Sequence, residues 1–337
     1  MTNAAGQLKQ YCDLLLHKDA DWAMRRQQLE NMHSLFVELG ALNAYSEARS
    51  GNDLDLHSGK AIAPVWAAMC LFDIARTIGF VSALRSAVTA KHLAGNKTVQ
   101  VLEAGCGPYG LLSLLTSLYF LPGEVSFTLI DIHPENITSV KKLTAALQIE
   151  PCFTTIQCSD ALHYHWPQQE SLHILVIETM NRALWKEPQV DITLHLAPQM
   201  EPAGILIPEE ICIHLVATDL LKRKQIQDAA APGTAIDAGS YETRLGQVLR
   251  LTKSSTADNI DRRPLYHTCL PLIYSEPGQQ LELQTEIKLF NNYWLRSNES
   301  AITLPLLLRQ RPAPGEDWNF CYDRGNEPGL VLNGTKC

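Results

Sequence analysis

Two patterns of acids and glycines in this chain could hold a nucleoside. In residues 101–110, an apolar strand ends in an acid, Glu103, and glycines follow at positions 105, 107 and 110. Glycine at Gly105 and Gly107 allows a sharp turn and a close approach to a ligand, because no Cβ atom is in the way. A second apolar strand, FTLIDIH, ends in Asp131, where an acid is placed to bind two ribose hydroxyls. Together the patterns predict a nucleoside cofactor at the carboxyl ends of parallel strands.

The acid ahead of the glycines separates the cofactors that this loop could bind. G-x-G-x-x-G by itself also fits a dinucleotide. A carboxylate at Glu103 would repel a pyrophosphate, whereas it would attract the amino group and the sulfonium of S-adenosylmethionine. We therefore expect S-adenosylmethionine, with a dinucleotide or a glycine turn without a ligand as the alternatives.

Two more acids follow the fourth apolar segment, LHILVIE. Glu178 ends that segment, and Glu187 lies nine residues further on in a loop. Ligands of open α/β sheets bind at such strand ends. Two converging carboxylates would suit a delocalised cation such as a guanidinium, which offers them two edges. They would hold it planar and leave one terminal nitrogen with electron density for attack. The alternative for Glu187 is a solvated loop acid.

Two further side chains are candidates for cofactor binding. Arg76 interrupts an apolar helix pattern, and its guanidinium could bind the carboxylate at the amino-acid end of S-adenosylmethionine. Its alternative is a snorkelling arginine or one paired with an acid. Asp160 lies just past the third predicted strand, where it could accept the adenine amino group, cap a helix, or do both.

The elements that would position these residues form an α/β pattern. Near-continuous apolar strands indicate a sheet buried on both faces, hence parallel strands joined by crossover helices, in a Rossmann-like arrangement. The predicted strands are 99–104, 125–132, 152–158 and 172–178, with helices at 109–120 and 135–147. Ahead of them, residues 6–48 predict two helices, and Pro64 opens a single helix that continues to about residue 88.

Beyond residue 198 the pattern becomes that of antiparallel strands. GILIP, residues 204–208, predicts a turn between two strands, and the polar stretch 219–262 predicts an arm or an inserted loop with an amphipathic segment near 241–251. Later alternating segments predict a β-barrel or sandwich. We expect three parts: an N-terminal helical segment (1–63), a cofactor domain (64–198) and a C-terminal β domain (199–337).

Composition limits the partners of this 337-residue chain. Its formal charge is −8, which argues against nonspecific nucleic-acid binding by a basic surface. No apolar run is long enough for a membrane span, and the N-terminus has no signal-peptide pattern. The nine cysteines include no C-x-x-C and no zinc-like pairing with histidine. We expect a cytoplasmic protein with reduced thiols and no metal, nucleic acid or membrane as a partner.

Taken together, these residues resemble the protein arginine methyltransferase family. The matching positions are Asp73, Arg76 and Thr77 (D-x-x-R-T), Glu103, Gly105 and Gly107 in the glycine loop, Asp131 as the ribose acid, and Glu178 and Glu187 as paired glutamates nine apart. The resemblance implies that Arg76 binds the methionine carboxylate. It also implies a C-terminal β-barrel, a dimerisation arm at about 219–262 and a homodimer.

The chain departs from the family at three places. The threonine-histidine-tryptophan loop has no clear copy, and His267 in Tyr266-His267-Thr268 is the nearest candidate, with a structural histidine as the alternative. Two methionines beside the family's methyl-transfer site correspond by offset to Cys70 and Gln189. The paired tyrosines of its N-terminal helix are not evident. A small guanidino or amino metabolite is therefore as consistent with the sequence as a protein substrate.

The sequence thus predicts an S-adenosylmethionine-dependent N-methyltransferase that acts on a guanidino group, in free arginine or in a protein. Glu178 and Glu187 would orient the nucleophile, and Glu187 or His267 would take the released proton. The alternatives are a biosynthetic N- or O-methyltransferase for another small molecule and a catalytically silent dimeric scaffold with a vestigial cofactor site.

Overall fold

The computed structural model of the chain describes residues 4–45, 53–229, 238–255, 279–308, 319–332 and 335–336. Its helices are α1 (Ala4–Leu15), α2 (Trp22–Glu38), α3 (Pro64–Met69), α4 (Ile74–Leu93), α5 (Leu111–Ser117), α6 (Pro134–Leu147), α7 (Gln189–Leu196) and α8 (Leu220–Ala229). Its first strands are β1 (Leu54–Leu56), β2 (Gly59–Ala61), β3 (Val99–Ala104), β4 (Val125–Asp131), β5 (Phe153–Cys158), β6 (Ile174–Ile177) and β7 (Ile205–Ile207). The remaining strands are β8 (Glu210–Asp219), β9 (Glu242–Thr252), β10 (Gln279–Phe290), β11 (Tyr293–Leu295), β12 (Leu306–Leu307), β13 (Phe320–Asp323), β14 (Gly329–Leu332) and β15 (Thr335–Lys336).

A parallel sheet with the strand order β5-β4-β3-β6-β7 carries the predicted ligand-binding edge. The two central strands are apolar and almost fully buried, and α6 crosses over between β4 and β5, so the predicted Rossmann-like sheet is confirmed. The predicted N-terminal helices are present as α1 and α2, which pack on each other.

The fifth strand of this sheet corrects one prediction. GILIP was expected to be a turn, but Ile205–Ile207 form β7, which pairs with β6 along Ile174–Val176. Leu206 and Ile207 are buried, so burial at the sheet edge outweighs the turn signal of the flanking glycine and proline. The parallel sheet therefore continues past residue 198.

The single helix expected from Pro64 onward is two helices that meet at 85°. Asp73 ends the first and caps the second, since its Oδ1 accepts a hydrogen bond from the Arg76 N–H at 3.1 Å. Its Oδ2 accepts hydrogen bonds from Ser300 Oγ at 2.7 Å and the Ala301 N–H at 2.8 Å. One carboxylate thus starts α4 and ties it to the C-terminal part of the chain.

The C-terminal part is antiparallel, as predicted. β8 lies between β9 and β10, β11 and β12 pair with β10, and β13, β14 and β15 form a separate three-stranded sheet. The amphipathic segment expected near 241–251 forms most of β9 in the larger sheet, and the arm at about 219–262 stays a prediction. α8 buries none of its side chains, and its role as part of an arm stays a prediction.

In the described ranges no single helix is long and apolar enough to cross a membrane; α3 and α4 meet that criterion only as a bent pair. The same residues include no group of three or more His, Cys, Asp or Glu side chains that could hold a metal ion.

Replacing Asp73 with alanine should destabilise the fold more than the loss of an ordinary helix cap. The change removes the cap of α4 and two hydrogen bonds to the C-terminal part, so we expect urea unfolding to show a loss of about 2–4 kcal/mol. Asp21→Ala is the matched control, because exposed Asp21 caps α2 through the Met24 N–H at 2.7 Å and makes no comparable link. It should cost about 1 kcal/mol. Equal losses in the two variants would contradict the role of Asp73 as a link.

Candidate functional site

One cavity opens at the carboxyl ends of β3, β4 and β6, and the structure brings eight of the predicted site residues to its wall. They are Arg76, Glu103, Gly105, Gly107, Asp131, Asp160, Glu178 and Glu187. The cavity contains about 1130 Å³ of empty space, counted out to its open mouth. The ninth predicted residue, His267, lies outside the described residues.

The glycine loop has the backbone conformation that the sequence predicts. Gly105 and Gly107 have φ values of 76° and 65°, in the region that side chains disfavour. A Cβ atom on Gly105 would lie 2.3 Å from Thr179 Cγ2, so the loop also needs glycine for packing against the end of β6. The loop can therefore follow the cavity wall with its backbone exposed to a ligand.

Asp131 is buried at the tip of β4, where its carboxylate holds the surrounding backbone. Oδ2 accepts a hydrogen bond from the Gly107 N–H at 2.8 Å, and Oδ1 accepts from the His133 N–H at 2.9 Å and from Asn136 Nδ2 at 3.0 Å. A carboxylate offers about four acceptor positions, two on each oxygen. One position, on Oδ2, therefore remains for a ribose hydroxyl. Burial raises the pKa of Asp131.

Glu103 also has a structural contact that the sequence did not indicate. Its Oε2 accepts hydrogen bonds from the N–H and the hydroxyl of Ser113, in the first turn of α5. The carboxyl is buried, which raises its pKa to about 7 despite the bonds from Ser113. The nearby negative charges of Glu178 and Asp131 contribute to this rise.

Arg76 was predicted to bind the cofactor carboxylate and Glu178 the acceptor cation. In the structure the two side chains form an ion pair with each other. Both side chains are almost buried, and the pair involves Arg76 Nη2 and Glu178 Oε2. The second oxygen, Glu178 Oε1, is buried and has no hydrogen-bond partner. Burial raises the pKa of Glu178, although Arg76 opposes this shift. An unpaired buried carboxylate oxygen of this kind is costly unless a ligand supplies a donor.

Glu187 lines the cavity beside that pair. Its pKa is raised to about 8, first by burial and then by the negative charge of Glu178, while Arg76 opposes the rise. Glu187 is therefore not the solvated loop acid that the sequence left open. Two buried acids with raised pKa values at one strand end are typical of functional sites.

Asp160 makes the local contacts of a turn. Its Oδ1 accepts a hydrogen bond from the Leu162 N–H at 2.9 Å, and its Oδ2 is 2.9 Å from Nδ1 of the exposed His163. The expected helix cap is absent, since residues 161–163 form a turn and no helix follows it. Binding of an adenine amino group stays a prediction.

The two positions that correspond to the family's methionines have different surroundings. Cys70 lines the cavity. Gln189 is buried in α7, where its Oε1 accepts from the Thr179 N–H at 3.0 Å and its Nε2 donates to the Ile177 carbonyl at 3.3 Å. Gln189 therefore holds the end of β6, directly after which Glu178 lies.

Three residues of the cavity wall were missed at the sequence level. His133 and Asn136 follow Asp131 by two and five residues, and each has a buried polar atom without a partner, Nε2 and Oδ1 respectively. Their positions just past the second strand are the signal that could have identified them. Lys60, on β2, lies at the cavity and pairs with Asp53 at 3.2 Å.

The charges of the cavity favour a cation. Five carboxyl side chains and two basic side chains, Lys60 and Arg76, line it. The pKa values of Glu103, Asp131, Glu178 and Glu187 are all raised by burial, so a bound cation would offset the desolvation of their ionised forms.

A solved structure with a similar fold is the Trypanosoma brucei PRMT1 enzyme–prozyme heterotetrameric complex with AdoHcy. The match has a TM-score of 0.50 and 16% sequence identity, and it covers 78% of this chain and 90% of that chain. At this identity the similarity is one of fold, and it agrees with the α/β sheet and the antiparallel C-terminal part. Neither a protein-family model nor a curated protein sequence matches the chain.

The raised pKa of Glu187 predicts a pH-dependent stability. The folded chain keeps this proton up to about pH 8, whereas the unfolded chain loses it near the ordinary value of 4.5. Between these values the folded state binds more protons, so the free energy of unfolding should fall as the pH rises. Residue 187 cannot ionise in Glu187→Gln. In urea unfolding, the decrease in the free energy of unfolding across this pH range should therefore be smaller than in the native protein by at least about 1 kcal/mol, the equivalent of one pKa unit.

Glu170→Gln, at an exposed acid away from the cavity, is the control and should follow the native protein at every pH. If the Glu187→Gln curve is parallel to the native curve across the window, the cavity does not hold a protonated Glu187.

Proposed function

We propose that this chain is an S-adenosylmethionine-dependent N-methyltransferase that acts on a guanidino group, in free arginine or in a protein. The observation that carries the proposal is the acid pair at the end of β6. Glu178 and Glu187 line one cavity with the glycine loop, and a buried oxygen of Glu178 has no partner. An acceptor cation and a nucleoside cofactor would fit side by side there.

The residues present fit S-adenosylmethionine. Gly105 and Gly107 expose backbone to the cavity, and Asp131 retains one acceptor position for a ribose hydroxyl. Arg76 is at the cavity wall, where its guanidinium could bind a carboxylate. The fold neighbour was solved with AdoHcy, which supports the same choice. When bound, S-adenosylmethionine would supply a methyl group activated by its sulfonium.

The acid pair suits a guanidinium better than a neutral acceptor. Burial raises the pKa of both acids, which means that the empty cavity disfavours their ionised forms. A guanidinium between them would pair its planar edges with the two carboxylates and restore the ionised state. Held in this way, the acceptor nitrogen is oriented toward the methyl group, and orientation of reacting groups is a major source of rate acceleration.

A proton must leave the acceptor nitrogen as its bond to the methyl carbon forms. Glu187 is the side chain on the described wall that we assign to accept it, since the bound guanidinium would hold it in the ionised form that a base needs, and burial makes it a stronger proton acceptor than an ordinary carboxylate. Glu178 is less suited, because Arg76 already holds one of its oxygens. His267 remains the sequence-based alternative for this step.

Methyl transfer to a guanidino group should depend on Glu187. With labelled S-adenosylmethionine, we expect transfer to free arginine or to arginine-rich peptides, and a fall of at least about a hundredfold in Glu187→Gln. Glu170→Gln should transfer at the native rate. Label that appears only in a metabolite extract, in a compound without a guanidino group, would favour the small-molecule alternative instead.

Cofactor binding should depend on Asp131 and can be measured without an acceptor. In Asp131→Asn the amide keeps one acceptor oxygen where the carboxylate has two, so calorimetry should show affinity for S-adenosylmethionine reduced by about tenfold. Asp13→Asn, at an acid of α1 that bonds Tyr119, should bind as the native protein does. No binding by the native protein at millimolar ligand would favour a scaffold with a vestigial site.

A homodimer and a cytoplasmic location are part of the same proposal. The exposed helix α8 supports an arm that contacts a second copy, because none of its side chains is buried within the chain. Both can be tested by sedimentation and by imaging of a tagged protein, independently of the catalytic assays.

A further inference from the structure

We propose that Tyr322, in the C-terminal strand β13, is a positioning residue that holds Glu187 at the cavity. This inference rests on the proposed function, because it assigns Tyr322 a role only through the acid that would bind and deprotonate the acceptor. Tyr322 is not part of the cavity wall. It acts on the backbone of the loop between β6 and α7, which carries Glu187.

The loop ahead of Glu187 has an unusual backbone. Ala183, Leu184 and Lys186 have φ values of 53°, 54° and 67°, and none of them is a glycine. Side chains disfavour this left-handed region, so three such residues within four positions persist only where their surroundings hold them. Glu187 follows directly, and its direction is set by this conformation.

The contacts that hold the loop come from distant parts of the sequence. The hydroxyl of Tyr322 donates to the Leu184 carbonyl at 2.7 Å, and the Lys186 N–H donates to the Pro328 carbonyl at 2.8 Å. The Ala183 N–H donates to Thr285 Oγ1 at 3.1 Å. Each of the three left-handed residues therefore has a backbone group bound by the C-terminal part.

Two of these contacts belong to one hairpin, β13–β14, which also holds the helix after Glu187. Arg324, in the turn of the hairpin, forms an ion pair with the buried Asp191 of α7. The hairpin thus contacts the chain on both sides of Glu187.

Tyr322 is the contact of the hairpin that a single substitution removes most cleanly. The residue is buried, with 4% of its surface exposed, and its hydroxyl makes the hydrogen bond to the loop. Tyr322→Phe keeps the ring and its packing and takes away the hydrogen bond to the Leu184 carbonyl. Without this hydrogen bond, the left-handed residues can adopt a more favourable backbone conformation, and the Glu187 side chain can move away from the acceptor.

The experiment compares Tyr322→Phe with Tyr119→Phe. Tyr119 also donates through its hydroxyl, to Asp13 Oδ1 at 2.6 Å, but on the side of α1 and away from the loop. Hydrogen–deuterium exchange of the 182–187 segment reports the loop itself. Steady-state transfer from labelled S-adenosylmethionine to free arginine or an arginine-rich peptide, whichever the native protein methylates, reports the consequence.

In Tyr322→Phe we expect faster exchange in the 182–187 segment and a fall in kcat of about ten- to a hundredfold. The KM for S-adenosylmethionine should stay unchanged, since Gly105, Gly107 and Asp131 are not touched. In a Glu187→Gln background, Tyr322→Phe should add little further loss, because both changes act through one side chain. Tyr119→Phe should leave exchange in this segment and kcat as they are.

Unchanged exchange in a folded Tyr322→Phe protein would overturn the inference, and so would an equal further loss of kcat in the Glu187→Gln background. If Tyr322→Phe does not fold, Arg324→Gln releases the same hairpin from α7 and is judged by the same two readouts. If the native protein transfers no label, the proposed function fails. The exchange of the 182–187 segment then still decides whether Tyr322 holds the loop.

Discussion

The candidate site depends on carboxylates that are partly or fully buried at the wall of one cavity. Burial raises the pKa of Glu178 and of Glu187, and the negative charge of Glu178 adds to the rise at Glu187, so a bound cation would lower the cost of their ionisation. Arg76 offsets part of that cost on one oxygen of Glu178 and leaves the other oxygen without a partner. A planar cation is the simplest group that would pair with the remaining carboxylate oxygens. The site therefore defines the charge of the acceptor better than it defines the size of the acceptor.

The two halves of the site are joined by side chains that bind no ligand. Asp73 starts the helix that carries Arg76 and also accepts hydrogen bonds from Ser300 and Ala301, far along the chain. The loop before Glu187 is held from the same C-terminal part. Arg76 and Glu187 are therefore both held at the cavity wall by contacts from the C-terminal part. The antiparallel part of the fold is a structural requirement of the acid pair, whatever else it contacts.

Much of the sheet and its strand ends could be predicted because the signals are local. Apolar runs gave the central strands, and the glycine loop and Asp131 stand beside them in the sequence. The errors occurred where a local signal competed with tertiary structure. The turn-like GILIP segment forms β7, which pairs with β6 at the edge of the sheet. The continuous apolar pattern after Pro64 did not reveal the break between the two helices at Asp73. The partners of Glu103 and Asp131 could not be predicted, since they depend on how α5 and the glycine loop pack.

Glu187 shows why spacing alone cannot define the chemistry. The nine-residue interval from Glu178 brings a second acid to the strand end, but an exposed acid at that position would ionise near its ordinary pKa and would neither need a cation nor serve as a base near neutral pH. Burial changes this, and burial depends on a strained loop that Leu184 and its neighbours adopt only while distant residues bind them. On the proposed function, the charges then alternate from the cofactor carboxylate through Arg76 and Glu178 to the acceptor guanidinium. Binding of the cofactor would thereby raise the affinity for the acceptor, and the reverse, since the cofactor pairs with Arg76 and the acceptor with Glu178.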